Sequence, residues 1–399
     1  MGIGVGPSNL SLACLIAEKG IISNQELAFI EANERITWHS GQILPNATML
    51  SDYVWDLVSP VEPTSRFSFL NYMKDKGKLQ EFLISGIKRP RRSEFEDYLN
   101  WSARQIPFIE FGRKIINIDF NIEKSLFEIS SDIDGEEVLE FAQNIVLGVG
   151  KKYIPIFNYP KSSKVILASD FMHKIISPLN LDDVVVIGSG QSSAEIISYL
   201  INNTCVNKIT WITKAASIND IDNSPFRGVA FTDIGSQKHF AECDNLKNTL
   251  RNKEKPLVNG VDPSFSEELF EDVFYWSNRE DKLFEVITNS TVNSIGEVDG
   301  LLNINFKKEG KEKACLYSSL AIICTGFSSG VHSDILSDNL TSILKQNDIT
   351  ENYEFKVSTN SSMWLQSNNI ISHGVTDSNF ITSPSRNKRI IESLGSNKS

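Results

Sequence analysis

Gly2-Ile3-Gly4-Val5-Gly6, followed at once by Pro7-Ser8-Asn9-Leu10, constrains this chain more than any other stretch. The backbone must leave a strand there, turn tightly and enter a helix, which the run from Leu10 to Ala17 continues. Glycines allow that turn and let a pyrophosphate approach the amides at the helix N-terminus. A second apolar run, Leu27-Ala-Phe-Ile30, ends in Glu31, about 25 residues after Gly6, where a carboxylate that holds an adenosine ribose is expected. Turn, helix and acid in that order read as a dinucleotide-binding unit. Only Met1-Gly2-Ile3 stand where such a strand normally supplies roughly five or six residues. Either a truncated chain or an unusually short first strand is expected, with a weaker hold on the nucleotide.

A second unit is more complete. Asp183-Val-Val-Val-Ile187 is an apolar strand, Gly188-Ser189-Gly190-Gln191-Ser192-Ser193-Ala194 the turn, and Glu195 to Ile201 the helix. Ala194 at the third small position allows close packing of helix on strand. The next strand, Lys208 to Thr213, ends in Lys214, where an NAD site would carry an acid. A cation there favours a 2′-phosphate and hence NADPH; the plainer alternative is a surface lysine. Two such turns some 180 residues apart imply two dinucleotides, FAD at the first and a nicotinamide at the second, with hydride passing to the flavin.

The five cysteines (Cys14, Cys205, Cys243, Cys315 and Cys324) are scattered and form no C-x-x-C. That excludes a dithiol flavoenzyme and a zinc ribbon and suits a reducing compartment. Without a dithiol, O2 is the natural electron acceptor, which gives a monooxygenase. A net charge of −11 argues against a nucleic-acid partner. No apolar run approaches the roughly 18 residues of a membrane span. A cytoplasmic enzyme with no membrane, nucleic-acid or metal partner is expected.

Between the two turns, residues 36–58 are dense in aromatic and polar side chains, as a loop over a planar ring would be. A helix is expected from the Pro63 turn to Met73, and another from Ser93, where Ser93 and Glu96 make a capping box. The basic run Lys88 to Arg92 reads as a solvated loop. Short strands over 108–150 include a hairpin at Asp132-Ile-Asp-Gly135 and end in Gly148 and Gly150. Residues 219–283 interrupt the α/β alternation and read as an inserted helical lid.

The first turn resembles the G-x-G-P-x-N signature of the L-lysine N6- and L-ornithine N5-monooxygenases, the N-hydroxylating flavoproteins of siderophore pathways. The likeness runs over nearly the whole chain. It takes in Trp38-His39 with Gly41, Met49, Asp56-Leu57-Val58, Pro63-Thr64, Phe67 to Tyr72, Glu94-Phe95 with Asp97-Tyr98 and Trp101. It continues through Gly188 with Gly190-Gln191-Ser192, Ser224-Pro225-Phe226, Thr325-Gly326-Phe327 and His373-Gly374. The resemblance implies an α/β fold of two Rossmann-like dinucleotide-binding domains with a small helical substrate insertion. Residues 1–160 and 323–399 would hold FAD, and 161–322 would hold NADPH and carry the insertion, 219–283.

FAD is then expected on Gly4, Gly6, Pro7, Ser8, Asn9, Glu31, Trp38, His39, Leu50, Gly150, Thr325, Gly326, His373 and Gly374. NADPH is expected on Gly188, Gly190, Gln191, Ser192 and Lys214. In the family, oxygen on flavin C4a carries the chemistry to an unprotonated primary amine, so no side chain is assigned as catalytic. A homo-oligomer, tetramer or dimer, goes with the resemblance.

Three departures bear on the substrate. The family's lysine that pairs with the substrate carboxylate falls on Trp55, a glutamine near the flavin falls on Leu50, and the pair after Ser224-Pro225-Phe226 becomes Gly228-Val229. With Asn71, the residues Trp55, Gly228 and Val229 are the substrate candidates. They favour a diamine, or an amine with a masked carboxylate, unless Arg66 or Lys74 replaces the lysine. Two other readings stand beside this one. A flavin monooxygenase acting on sulfur or a ketone would carry an F-x-G-x-x-x-H-x-x-x-W fingerprint, which is not found here. A non-catalytic or uncoupled flavin-binding relative would be separated by purification colour and NADPH oxidation.

Overall fold

Strands buried on both faces must be apolar and covered by helices, and the inner parallel strands of this chain are close to that kind, whereas the edge strands are partly exposed. The structure, a computed structural model, describes residues 1–20, 23, 26–151, 156–175, 181–310, 313–327, 334–367 and 369–396. β1 (Gly2–Ile3) enters α1 (Pro7–Lys19), and β2 (Phe29–Ile30) returns beside it. Next come α2 (Phe69–Asp75), α3 (Leu79–Ser85), α4 (Arg92–Ala103) and β3 (Ile109–Glu110). A meander of β4 (Lys114–Asn121), β5 (Leu126–Ile133) and β6 (Glu136–Ala142) precedes β7 (Ile145–Leu147). β1 has two residues, yet it pairs in parallel with β2 on one side and β7 on the other. α1 is buried from Asn9 to Ile16, and Pro7 opens it where no backbone N–H is required.

The second sheet begins with β8 (Val165–Leu167), α5 (Phe171–Lys174), β9 (Asp183–Ile187), α6 (Gln191–Asn203) and β10 (Lys208–Ile212). Four helices follow: α7 (Pro225–Gly228), α8 (Asp233–Ala241), α9 (Asp244–Glu254) and α10 (Pro263–Ser277). β11 (Leu283–Ile287), the meander β12 (Ser290–Val298), β13 (Leu301–Lys308) and β14 (Lys313–Ser318), and then β15 (Leu320–Ile323) complete this half. Its sheet runs β11-β10-β9-β15-β8, all parallel.

The chain then returns through α11 (Asp338–Lys345), β16 (Glu354–Lys356), β17 (Ser362–Leu365), α12 (Ile370–His373) and α13 (Ser383–Ser396). The first sheet is thereby β16-β17-β7-β1-β2-β3, parallel except for β16.

Three local expectations change. α10 is no part of a lid: Leu269 and Trp276 are buried in the core over β9 and β10, with Phe265 and Val273 packed against it. Phe265, Leu269, Val273 and Trp276 form a single stripe along one side of the helix, which the polar residues between conceal. The hairpin expected at Asp132–Gly135 is present and joins β5 to β6, an edge strand with exposed glutamates. α2 starts at Phe69, capped by Ser68, later than the proline turn suggests. α4 starts at Arg92, so Arg91 holds the N-cap position without a side-chain bond and Ser93 lies inside the helix, while the Glu96 carboxylate accepts the Trp38 N–H at 2.8 Å.

The basic run is not a solvated loop either. Arg92 reaches both oxygens of Glu195 on α6, at 2.7 and 2.8 Å, and Arg89 reaches Asp262 at the start of α10, at 2.5 Å. These pairs fasten the two halves together. Arg92 is 12% and Glu195 5% exposed at the side chain, so removing one partner strands a buried charge. Glu195→Ala is therefore expected to cost about 3–5 kcal/mol of unfolding free energy in urea titrations. A loss below about 1 kcal/mol, the worth of a surface pair, would show that the contact fastens nothing.

Candidate functional site

At the C-terminal edge of the first sheet, Gly4 turns the chain at φ +78°, and a Cβ on it would stand 2.7 Å from the Gly148 carbonyl oxygen. Asn9 is fully buried beneath, its Nδ2 donating to the carbonyls of Gly4 (2.8 Å), Ile3 (3.2 Å) and Val146 (3.2 Å). Its side chain thus clamps the strand ends. Gly6 opens α1 with no side-chain cap, leaving first-turn amides for an anion. Glu31 ends β2, its Oε2 accepting the Val5 N–H at 2.8 Å and its Oε1 the Asn33 N–H at 3.0 Å. Turn and acid therefore meet.

Ser8 is held by the last helix. Its Oγ lies 2.9 Å from Ser383 Oγ, and its carbonyl accepts from Asn387 at 2.8 Å. Behind it, Arg386 pairs with Asp377 at 2.6 Å, both 1% exposed at the side chain, and also donates to Gln366 and Ser383. This buried ion pair was not singled out in the sequence, since no short-range pattern links residues 8, 377 and 386.

The second turn repeats the first. Gly188 has φ +140° and packs on the Cys324 carbonyl, where a Cβ would overlap, and Trp211 Nε1 donates to the Gly188 carbonyl at 2.5 Å. Gly190 opens α6 with no side-chain cap. Gln191 turns inward, accepting the Asp262 N–H at 2.8 Å and donating to Glu195 at 2.9 Å. Ser192 follows in the first turn, and Lys214 stands exposed past the end of β10. Both helix ends are uncapped, glycine-lined and positive, which fits the pyrophosphates of two dinucleotides.

Trp38, half-buried, packs on His39 (4.7 Å), Phe95 (5.6 Å) and Phe380 (6.1 Å) between ring centroids. His39 faces Phe327 at 6.2 Å, which brings its loop against the segment of Thr325 and Gly326. Leu50 is exposed, and open space surrounds Gly150 and Gly326, both at positive φ. His373 is different: 1% exposed, it stacks on Tyr353 at 3.8 Å, with Ser372 Oγ on Nδ1 (2.8 Å) and the Glu351 carbonyl on Nε2 (3.2 Å). Its ring is built into the protein, and Gly374 follows at φ +92°.

The substrate candidates are not all together. Val229 lines a cleft of about 340 Å3 between the insertion and residues His373 to Thr376; Trp55 and Asn71 do not line it. The Asn71 amide donates to the Ser65 carbonyl at 2.9 Å. Gly228 ends α7 beside Val229. Arg66 is exposed, 4.0 Å from Glu18, and Lys74 is exposed on α2. The cleft also holds His239 and Glu254, which no motif marked.

A family model described as L-lysine 6-monooxygenase/L-ornithine 5-monooxygenase matches residues 1–329. The chain belongs to that family. A putrescine N-hydroxylase of Acinetobacter baumannii is 25% identical over 99% of this chain and 89% of its own length. An ornithine N-hydroxylase of Kutzneria, solved with reduced FAD, NADP+ and L-ornithine, superposes with a TM-score of 0.91 at 22% identity, covering 100% of this chain and 99% of that one. A cadaverine monooxygenase of Erwinia amylovora, solved with FAD, gives 0.88 at 21% identity over 98% and 93% of the two chains. The enzyme thus has the two Rossmann-like domains of FAD- and NADPH-dependent N-hydroxylating monooxygenases. Among the described residues no helix is long and apolar enough to cross a membrane.

Burial lowers His373 from its ordinary value to about 4. Between pH 6.5 and about 4 the unfolded enzyme takes up a proton that the folded one refuses, so stability falls as the pH drops. That single group is expected to remove up to about 3 kcal/mol, read as the difference between urea unfolding at pH 7.5 and pH 4.5. His373→Phe should flatten this part of the profile. An unchanged slope in the variant would rule the ring out as its source.

Proposed function

We propose that this monooxygenase hydroxylates a diamine, or an amine whose carboxylate is masked, in preference to free lysine or ornithine. Its product would supply siderophore or other secondary-metabolite assembly. The observation that carries this is Trp55, which stands where the resemblance places a lysine for the substrate carboxylate. An indole offers one N–H and no charge. Loss of the pair leaves a bound carboxylate incompletely satisfied, at roughly 3–5 kcal/mol by analogy with a broken buried pair. Arg66 and Lys74, the two cations that could replace it, are both exposed, and Arg66 lies 4.0 Å from Glu18. Val229 is apolar in the cleft, and two similar proteins are named for putrescine and cadaverine, which supports a diamine.

Bound on the first turn by Gly4, Gly6, Ser8 and Glu31, FAD would supply oxygen activation, and NADPH on Gly188, Gly190, Ser192 and Lys214 would supply the hydride. The protein's part is to keep water away and present an amine nitrogen without its proton, for which apolar walls such as Val229 and Leu257 are suited. A cytoplasmic homo-oligomer goes with this function, and the five unpaired cysteines support a reducing compartment.

Hydroxylamine formation from lysine, ornithine, cadaverine and putrescine, measured side by side, tests the substrate. Each diamine should exceed its amino acid; an amino acid ahead of its own diamine by tenfold would overturn the proposal. Lys214→Ala should raise the KM for NADPH by an amount equivalent to about 1–3 kcal/mol and leave NADH nearly unaffected. Equal use of both cofactors by the unaltered enzyme would instead assign Lys214 to the surface alone.

A further inference from the structure

The loop from Trp38 to Gln42 belongs to the first half by sequence, yet the second half holds it. A Cβ on Gly41 would overlap the Ser169 carbonyl, so only glycine lets the two backbones meet there. Ser40 Oγ lies 3.1 Å from His173 Nε2 on α5. His39 adopts φ +56°, uncommon for a residue with a Cβ, and such a conformation persists where surrounding contacts over-determine it. One of those contacts is charged. The carbonyl of Gln42, a buried residue, accepts from Arg92 Nη1 at 3.2 Å, while the same guanidinium grips both oxygens of Glu195. Glu195 also accepts from Gln191 Nε2 at 2.9 Å, and Gln191 Oε1 accepts the Asp262 N–H at 2.8 Å. Gln191 is the first residue of α6, in the second nucleotide turn. Both ends of its side chain are bonded within the protein.

An unbroken line of hydrogen bonds therefore runs from the second turn, through Gln191, Glu195 and Arg92, to the loop of His39, whose ring packs on Trp38 and faces Phe327. We propose that Arg92 is a positioning residue for flavin reduction, holding the second nucleotide turn at a fixed distance and angle from the loop expected beside the flavin ring. The inference rests on the assignment of FAD to the first turn and NADPH to the second. It gives Gln191 a role in alignment instead of a side-chain contact with the nucleotide. Arginine is the residue this task demands. Its planar fork carries five N–H donors, enough to span two carboxylate oxygens and a carbonyl at once, whereas lysine is a point charge on a flexible stem. Transfer between two bound groups needs near-contact geometry, and a misplacement of about 1 Å costs on the order of a hundredfold in rate. Reduction then depends on Arg92 far more than nucleotide affinity does.

The test uses the full-length, FAD-loaded protein. Calorimetry gives the Kd of NADP+, absorbance records how saturating NADP+ perturbs the oxidised flavin, and anaerobic stopped-flow follows flavin reduction by NADPH. Arg92→Lys should slow reduction at least fivefold at saturating NADPH and change the Kd by a smaller factor. The absorbance perturbation should shrink to half or less, since it reports the nicotinamide against the flavin and not folding. Gln191→Leu should act in the same direction, and the double variant should be no slower than the slower single one, as expected of one chain of contacts. Arg113→Lys, a change at a buried arginine paired within the first half, controls for lost stability and should leave all three readings unchanged. Slowing of less than fivefold in Arg92→Lys would overturn the proposal, as would a rise in Kd as large as the slowing, or equal slowing in Arg113→Lys. An unaltered protein that NADPH reduces but that hydroxylates no diamine keeps the alignment and discards the substrate proposal. An unaltered protein that NADP+ does not perturb and NADPH does not reduce discards the cofactor assignment, and the alignment with it.

Discussion

The ion pair of Arg386 with Asp377 is the contact on which the half built on the first sheet depends. A fully buried charge is tolerated only when it is paired and its remaining donors are bonded, and Arg386 meets that demand through Gln366, Ser383 and the Asp377 carboxylate and carbonyl. Each partner lies on a different element: the end of β17, the loop after α12, and α13. Ser383 passes the connection to Ser8 in the first turn of α1. The orientation of those first amides is therefore set by side chains at the other end of the chain.

What could be read from the sequence was what sits close in it. Gly4, Gly6 and Glu31 lie within one strand–helix–strand unit, so their spacing alone carries their meaning, and Gly188 to Ala194 repeat it. The basic run was misread because its partners, Glu195 and Asp262, are 103 and 173 residues away from Arg92 and Arg89. Local polarity then looks like solvation. The Ser93–Glu96 spacing is right for a cap, but Glu96 has a stronger claim on it from the Trp38 N–H, in a loop 58 residues earlier. Long-range hydrogen bonds override short-range propensity in both cases.

The substrate side shows the same limit from the other direction. Trp55, Gly228 and Val229 were noticed because they replace residues expected from a resemblance, which is a comparison and not a geometry. His239 and Glu254 carry no such contrast; a histidine among helical polar residues and a glutamate at a helix end are ordinary. Only their place in the cleft distinguishes them, and the cleft depends on α8 and α9 folding against the His373 segment, where Thr376 Oγ1 donates to the Ala230 carbonyl at 2.7 Å.

The two-residue β1 has a consequence for synthesis. It lies between β2 and β7, β7 needs β17 on its far side, and Ser8 waits for Ser383. A ribosome releases a chain at about 5–20 residues per second, so the second sheet, closed within 165–323, can form while the first is still missing a strand. The half built on the first sheet begins first and is completed last. Nucleotide capture on the first turn would then be largely post-translational, and a nonsense mutation between residues 323 and 383 would remove α13 and the support of the first turn while leaving the second sheet complete.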